Sequence, residues 1–441
     1  MGLDKWTTQF GVFAVCLVAV AALQIAIAPQ PDEGLRAMDA GELRAYWAEH
    51  IPTLLDEYGV EGVGIVVLED GNSVFSDAYG FADVADEDPM TTDAVMMAHS
   101  ISKSVTAWGV MVLVGDGAIE LDAPVSDYLP GWDFPDSKYS ADEVTVGRLL
   151  SLSAGIGLGE LGVHYEPGDE LPELGETLRG DAVRLRRAPG SGFEYSNTSY
   201  ALLELLIEQV TGRDFADYMR AEVLDPLGMD DASFDWQESW AARVPTGYTL
   251  RGEPVSPYLY PNRASGGLFA TLDDLGAFAS ASLGQTHGVI SASQLEQMHR
   301  PQVSIPGMFG VVSDSYGFGH FLETLPDGKD AVWHGGQGLG WMTHFHVVPS
   351  TGDGIVIMAN SQRSWPFFAR LLAEWSTWAG VGRPGMTRIT KATIGMRIVS
   401  GAIVLVALWL LLRLAHGLAT GRRRFSPGER PGAAQIASGL A

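Results

Sequence analysis

Residues 98–108 read "AHSISKSVTAW" and place Ser100 three residues before Lys103, at the start of an apolar run with helical spacing. Positions i and i+3 of a helix lie on one face, so these two side chains are expected to be neighbours. A serine hydroxyl is a weak nucleophile until an adjacent base takes its proton, and burial would keep a lysine amine neutral enough for that role. The alternative is an ordinary first helical turn with an exposed lysine, because this spacing arises by chance in most chains of this length.

Three further stretches bear on that choice. Tyr195-Ser196-Asn197 opens a second helical run after a Pro-Gly turn, and His334-Gly335-Gly336 stands before a strand-like run. Residues 264–278, "ASGGLFATLDDLGAF", lead from a glycine pair into another helix. Taken singly, each has a plain structural explanation, namely tyrosine packing, an asparagine helix cap or a glycine turn.

Taken together, the motifs resemble the serine β-lactamase and penicillin-binding-protein superfamily, most closely its class C branch. The resemblance rests on the order Ser100-x-x-Lys103, Tyr195-x-Asn197 and His334-Gly-Gly336. Connecting stretches such as "LDAPVSDYLPGW" and "VLDPLGMDDASF" are similar to family segments and follow in the same order. The resemblance spans roughly residues 40–365.

The resemblance implies a role for each motif residue. Ser100 would be the acylated nucleophile and Lys103 its base, while Tyr195 would pass the proton to the leaving group and later activate water. Asn197 would hold Lys103 and a substrate amide. The backbone N–H groups of Ser100 and Gln337 would form the oxyanion hole, where losing one donor typically costs about 3 kcal/mol of transition-state stabilisation.

The third motif departs from the family pattern. It is commonly Lys-Thr-Gly, whereas here His334 and Gly336 occupy the substrate-binding positions. The permanent cation and the hydroxyl that grip a substrate carboxylate are both missing, since histidine is mostly neutral near pH 7 unless its pKa is raised. This favours hydrolysis of an ester or amide over hydrolysis of a β-lactam. No counterpart of the class A deacylating glutamate is evident.

We therefore expect a membrane-tethered serine hydrolase that forms an acyl-enzyme on a small ester, amide or peptide and needs no cofactor or metal. A true β-lactamase or DD-carboxypeptidase is an alternative within the family. An alternative of another class is a non-catalytic sensor or binding module, against which the intact Ser100, Lys103 and Tyr195 argue.

The resemblance implies an α/β (α+β) fold of the β-lactamase/transpeptidase type, with an antiparallel sheet flanked by terminal helices and an all-helical domain. The residue patterns also indicate strands at both ends of the chain, in 62–83, "THFHVVP" and "GIVIMANS", and helices between them. A sheet built from the N- and C-terminal parts with a helical insertion is therefore predicted. Helical periodicity is found in residues 42–58, 100–115, 144–156 and 196–212.

Two apolar segments predict membrane helices at the two ends. Residues 10–28 carry no charge and would span about 28 Å as a helix, close to a hydrocarbon core of about 30 Å, although Ala26-Ile27-Ala28 also has the form of a signal-peptide cleavage site. Residues 398–412 are uncharged and are followed by three arginines at 422–424, as the positive-inside rule expects of a cytoplasmic end; a buried soluble helix is the alternative. The expected organisation is a cytoplasmic N-terminus (1–9), an anchor or signal segment (10–28), an extracytoplasmic hydrolase domain (40–380), a transmembrane helix (395–419) and a basic cytoplasmic tail (420–441).

Charge and cysteine content exclude several other classes. The net charge is −26 with only five lysines, which argues against nucleic-acid binding and fits a protein that works in high salt. Cys16 is the only cysteine, so one chain can build neither a disulfide nor a thiolate metal cluster. His344 and His346 share one strand face, but a His-x-His pair without a third ligand is more typical of packing than of a metal site.

Overall fold

The N- and C-terminal parts of the chain meet in one antiparallel sheet. A computed structural model describes residues 31–159 and 164–421, and residues Pro31–Arg388 form one compact unit. In this unit the first strand pairs with the last, from Val63 opposite Ala359 to Leu68 opposite Gly354. The prediction of a sheet made from both ends of the chain is therefore confirmed.

The main sheet has nine strands among the described residues, in the order β3-β2-β1-β13-β12-β11-β10-β9-β8, and all neighbours are antiparallel. Two further strand pairs, β4 with β7 and β5 with β6, lie outside it. The strands are β1 Gly62–Glu69, β2 Asn72–Asp83, β3 Asp88–Pro89, β4 Met96–Met97, β5 Gly247–Tyr248, β6 Pro254–Val255, β7 Phe269–Ala270, β8 Val303–Ser304, β9 Ser315–Tyr316, β10 Phe321–Thr324, β11 Asp330–Gln337, β12 Met342–Val348 and β13 Asp353–Ala359.

Helices fill the segment between β2 and β8 and flank the sheet at both ends of the unit. They are α1 Ala40–Tyr58, α2 Ile101–Gly115, α3 Val146–Leu150, α4 Leu174–Thr177, α5 Asn197–Thr211, α6 Phe215–Met219, α7 Arg263–Gly266, α8 Leu272–Ser282, α9 Ala292–Met298, α10 Ser364–Trp378 and α11 Arg388–Ala419. Most predicted helices are confirmed, but the one expected over 144–156 stops at Leu150, since Leu152 takes a positive φ of 55°. The His334-Gly-Gly336 motif lies within β11 rather than before a strand.

Helix α2 is buried on nearly all sides and forms the centre of the unit. Its residues from Ile101 to Met111 are all buried, so the helix that begins after Ser100 has no solvent face along most of its length. Helix α8 packs against the sheet through two close approaches, because a side chain at Gly64 would press on Leu272 and one at Gly276 would press on Val66. The core thus joins the sheet to the helix that carries the candidate nucleophile.

The described residues include one helical run long and apolar enough to cross a membrane, Gly385–Ala419. It coincides with the membrane helix predicted over 395–419. The other predicted span, residues 10–28, and the tail beyond residue 421 lie outside the described residues, so the expectation of two spans stays a prediction.

A buried carboxylate joins the two terminal helices α1 and α10. Glu374, whose side chain is fully buried, accepts hydrogen bonds from Trp47 Nε1 at 2.9 Å and from Arg370 Nε at 2.8 Å. His50 Nε2 lies 3.3 Å from the same carboxylate. Helices α1 and α10, which are far apart in the sequence, are therefore joined by hydrogen bonds to the Glu374 carboxylate.

We expect Glu374→Ala to lower the free energy of unfolding by about 3–5 kcal/mol, because it leaves the nearly buried Arg370 guanidinium without its partner. Urea unfolding followed by circular dichroism measures the change. Glu296→Ala, which removes an exposed ion pair with Arg300, is the matched control and should change stability by less than about 0.5 kcal/mol. Equal effects of the two substitutions would contradict the assignment.

Candidate active site

Ser100 stands at the N-terminal end of α2, where the chain makes a sharp entry into the helix. His99, the preceding residue, has a positive φ of 48°, an uncommon conformation for a residue other than glycine. Ser100 serves as the N-cap and remains partly exposed. The N–H groups of Ile101, Ser102 and Lys103 donate to the carbonyls of the three residues 98–100. The backbone bonds of this turn in the described chain do not include the N–H of Ser100, which is therefore left for a ligand.

Lys103 is completely buried and lies within reach of three oxygen atoms. Its Nζ is 3.3 Å from Ser100 Oγ, 2.7 Å from Asn197 Oδ1 and 2.7 Å from the carbonyl oxygen of Ser265. Burial lowers the pKa of Lys103 well below its usual value. A neutral amine has two N–H groups and one lone pair, and Asn197 Oδ1 and the Ser265 carbonyl only accept. In the neutral amine, the lone pair is therefore left for the Ser100 hydroxyl.

Tyr195 lies next to Ser100, two residues before the start of α5. Its ring centroid lies 4.9 Å from Lys103 Nζ. Burial raises the pKa of the Tyr195 phenol above its ordinary value, although a hydrogen bond with Ser100 acts in the opposite direction. The site thus combines a phenol that burial keeps protonated with an amine whose neutral form burial favours.

His334 is fully buried on β11, and both of its ring nitrogens are used inside the protein. Nδ1 lies 2.9 Å from the carbonyl oxygen of Gly335, which can only accept, so Nδ1 carries the hydrogen. Nε2 then accepts from the Tyr316 hydroxyl at 3.1 Å. Burial lowers the pKa of His334 well below its usual value. The ring is neutral and supplies no cation for a substrate carboxylate.

Gln337, at the end of β11, directs its backbone N–H away from the neighbouring strand. Gly338 N donates to the Trp341 carbonyl at 3.1 Å, and N–H groups alternate in direction along an antiparallel strand. On the other edge of β11 the pairing with β10 ends at Trp333. The N–H of Gln337 therefore faces an edge that no strand covers, and its side chain is held by Trp365 Nε1 at 3.0 Å.

A cavity of about 480 Å³ opens beside these groups. Of the residues predicted to form the site, it is lined by Ser100, Asn197 and Gln337. Lys103 and His334 are fully buried and do not line the cavity. The charged lining residues are Glu176, Arg179 and Asp181.

Arg263 supports the site from behind, and the sequence patterns did not single it out. It forms ion pairs of 2.9–3.0 Å with four carboxylates, those of Glu204, Glu208, Asp214 and Asp235. The buried Glu204 also accepts the backbone N–H of Ala264 at 2.9 Å. This cluster holds the short helix α7, which carries the Ser265 carbonyl to Lys103. Its members are spread over 60 residues, and no local pattern connects them.

The sequence motifs give His99 no role, but the structure places it in the cavity lining. Its ring is 1% exposed and neither nitrogen has a partner among the described residues. The rings of Tyr258 and Tyr260 lie about 6 Å from it, with centroid distances of 6.2 and 6.1 Å. Burial lowers the pKa of His99 to about 3, so this ring is neutral too.

No group of three or more His, Cys, Asp or Glu residues suited to a metal ion occurs in residues 31–159 and 164–421. His344 and His346 are both fully buried. Their rings pack against Trp333 at 5.3 Å and Trp375 at 5.6 Å, respectively. These contacts agree with the packing interpretation of the His-x-His pair.

The sheet topology and the helical insertion define a β-lactamase/transpeptidase-like α/β protein. A class C β-lactamase mutant has the same fold, with a TM-score of 0.63 at 19% identity over 78% of this chain and 98% of that one. Penicillin-binding protein 4 of Amycolatopsis lactamdurans is 28% identical over 77% of this chain and 91% of its own length. Esterase EstB of Burkholderia gladioli is 26% identical over 74% and 92%.

The sequence profile of the Beta-lactamase family matches residues 47–376. The chain therefore belongs to the Beta-lactamase family, within the superfamily of serine β-lactamases and penicillin-binding proteins. The resemblance identified from the sequence motifs is confirmed, and membership in a family of serine hydrolases supports an enzyme.

The buried Lys103 predicts a distinctive pH dependence of stability. Between its lowered pKa and the ordinary lysine value, the unfolded chain binds a proton that the folded chain does not, so the free energy of unfolding rises with pH by up to about 1.4 kcal/mol per unit. Lys103→Met should lack this rise, whereas Lys138→Met, at an exposed lysine, should keep it. Urea unfolding over a pH series measures the slopes, and identical slopes for all three proteins would contradict the burial argument.

Proposed function

We propose that this protein is a membrane-tethered serine hydrolase that cleaves esters or amides through an acyl-enzyme on Ser100. The observation that carries the proposal is the contact between the Ser100 hydroxyl and the buried amine of Lys103. Burying an amine is unfavourable for the fold, and a module that only bound ligands would have no need of one beside a serine. The contact therefore favours catalysis over a purely sensory role.

Acylation follows from the proton positions. The Ser100 oxygen attacks the substrate carbonyl carbon while its proton moves to Lys103 Nζ. The negative charge on the carbonyl oxygen is accepted by the backbone N–H groups of Ser100 and Gln337. Tyr195, whose pKa is raised, then donates its proton to the leaving alcohol or amine as the carbon–heteroatom bond breaks, and it regains a proton from Lys103.

Deacylation reverses these proton movements with water as the nucleophile. Water attacks the acyl carbon as its proton passes to Tyr195, which gives its own proton to the neutral Lys103. Lys103 then returns a proton through Tyr195 to the Ser100 oxygen as the bond between this oxygen and the acyl carbon breaks. Asn197 fixes Lys103 through Oδ1, and its amide N–H₂ remains for a substrate carbonyl. No cofactor takes part in this sequence.

The absence of a cation at the third motif supports a substrate without a free carboxylate. His334 is neutral and buried, and Gly335 and Gly336 add no side-chain hydroxyl. Arg179 in the cavity lining is exposed, and its Nε donates to the Gly175 carbonyl at 3.0 Å. The same lining contains the carboxylates of Glu176 and Asp181. Esterase EstB among the relatives agrees with this preference.

The membrane tether rests on the run Gly385–Ala419 together with the arginines at 422–424. With those arginines on the cytoplasmic side, the catalytic unit would lie outside the membrane. The expected domain limits, 40–380 for the hydrolase and 395–419 for the span, remain part of this proposal.

Ser100→Ala should abolish labelling by a fluorophosphonate probe and lower turnover of short-chain esters by at least about 1,000-fold. Ser199→Ala, which removes a buried hydroxyl without a partner in the described chain, is the matched control and should keep both activities. Neutral esters and amides should be better substrates than a carboxylate-bearing chromogenic β-lactam or a D-amino-acid peptide. Turnover or labelling that persists in Ser100→Ala would refute the proposal, and a preference for carboxylate substrates would refute its substrate class.

Lys103→Arg should be nearly as inactive as Lys103→Met, because a guanidinium keeps its proton and cannot act as the base. In the wild type, kcat/KM should fall on the acid side as Lys103 becomes protonated, at a pH well below the ordinary lysine range because burial lowers this pKa. Stopped-flow acylation rates over a pH series measure both effects. Retention of wild-type acylation by Lys103→Arg would exclude Lys103 as the base.

A further inference from the structure

The loop of residues 305–312, "IPGMFGVV", exposes an unusual amount of apolar surface. Met308 is 87% exposed, and Phe309 and Val311 are each 48% exposed. Three large apolar side chains within four residues form a contiguous patch, which we call the 308–311 patch. Single exposed apolar residues need no explanation, but a grouped patch usually marks a contact surface.

The inner side of this loop packs on the candidate active site. The Phe309 ring stacks on Tyr195 with a centroid distance of 5.8 Å and an interplanar angle of 10°. Phe321 extends this stack at 6.2 Å from Phe309, and Phe193 contacts Phe309 edge-to-face at 6.1 Å. The patch is therefore the outer surface of the wall that supports the catalytic tyrosine.

The same loop is fastened to the point where the apolar C-terminal helix begins. Arg388 Nη1 donates to the Val311 carbonyl at 2.7 Å, and Arg388 is the first residue of α11. Gly385 packs so closely on the Val312 carbonyl that a side chain there would clash, and its N–H donates to Glu323 at 2.6 Å. The side chain of Arg388 thus connects the 308–311 patch directly to the start of α11, the candidate membrane helix.

The charge pattern around this point is suited to a lipid headgroup region. Residues 383–397 contain four basic residues and no acidic one, within a chain whose net charge is −26. Basic residues beside a span favour the headgroup layer of an anionic surface. Apolar side chains such as Met308 and Phe309 would enter the acyl boundary beyond that layer.

We propose that the 308–311 patch inserts into the lipid surface and places the Tyr195 side of the cleft at the membrane. The inference rests on the proposed membrane tether, since the covalent span brings the bilayer within reach of the patch. A second copy of the chain is a poorer occupant, because the acidic units repel each other. The substrate class that follows is an amphiphilic ester or amide that partitions into the membrane.

Insertion can be measured on the full chain in phosphatidylcholine vesicles containing phosphatidylglycerol. In a Cys16→Ser background, Met308→Cys is labelled with an environment-sensitive fluorophore, and quencher-bearing lipids report its depth. Leu250→Cys is the matched control, because Leu250 is 69% exposed and its carbonyl accepts from Arg363, at the other end of α10 from the exit point. Helix α10, which is about 22 Å long, lies between Arg363 and Arg388 in the chain.

Quenching at residue 308 but not at residue 250 is the expected result. If neither probe is quenched while the chain resists extraction by carbonate, the patch proposal fails and the tether stands. If carbonate removes the chain from the vesicles, the tether itself fails. In the absence of lipid, the fluorophore at residue 308 could instead become shielded from water as the protein concentration rises. This result would assign the patch to self-association and overturn the proposal.

A kinetic experiment tests the consequence for the substrate. Met308→Glu should lower turnover of a long-chain ester embedded in vesicles about tenfold, corresponding to about 1.4 kcal/mol, while leaving turnover of a soluble short-chain ester unchanged. Leu250→Glu should change neither. Equal turnover of the vesicle-borne ester by wild type and Met308→Glu would overturn the proposal even if esterase activity itself is confirmed.

Discussion

The burial of one amine, that of Lys103, is the constraint on which the site depends. An amine removed from water must be either neutral or paired with a carboxylate, and among the described residues its neighbours are a hydroxyl, an amide oxygen and a peptide carbonyl. The two acceptors take the two N–H groups of the neutral amine, and its lone pair is left for the Ser100 hydroxyl. The candidate mechanism therefore follows from the burial of the Lys103 side chain next to Ser100.

Other parts of the structure maintain that arrangement. Helix α2 is surrounded by core on nearly all sides, which keeps water from Lys103. Arg263 draws four carboxylates together and fixes the segment that presents the Ser265 carbonyl. The third motif supplies a neutral ring, His334, whose hydrogen bonds are satisfied inside the protein. Together these features give a site in which a buried amine and a buried phenol lie beside Ser100 and the third motif carries no cation.

The sequence predicted the family, the sheet formed by both ends of the chain, and helix α2, because these depend on local periodicity and on motifs in a fixed order. Arg263 was missed, since its partners are separated by up to 59 residues and meet only through folding. His99 was also missed, because its positive φ and its burial beside the cavity are not visible in residue type. The helix expected over 144–156 was too long, as apolar periodicity does not reveal the turn at Leu152. The predicted roles of the site residues remain predictions.

The central claim is that Ser100 becomes acylated because Lys103 is neutral at physiological pH. The most direct measurement is peptide mass mapping of protein mixed with an activated ester and quenched in acid within the first turnover. The account predicts the acyl mass on the peptide that contains Ser100 at neutral pH, and its loss in both Ser100→Ala and Lys103→Met. An acyl adduct on another residue, or the same adduct yield on Ser100 in Lys103→Met, would contradict it.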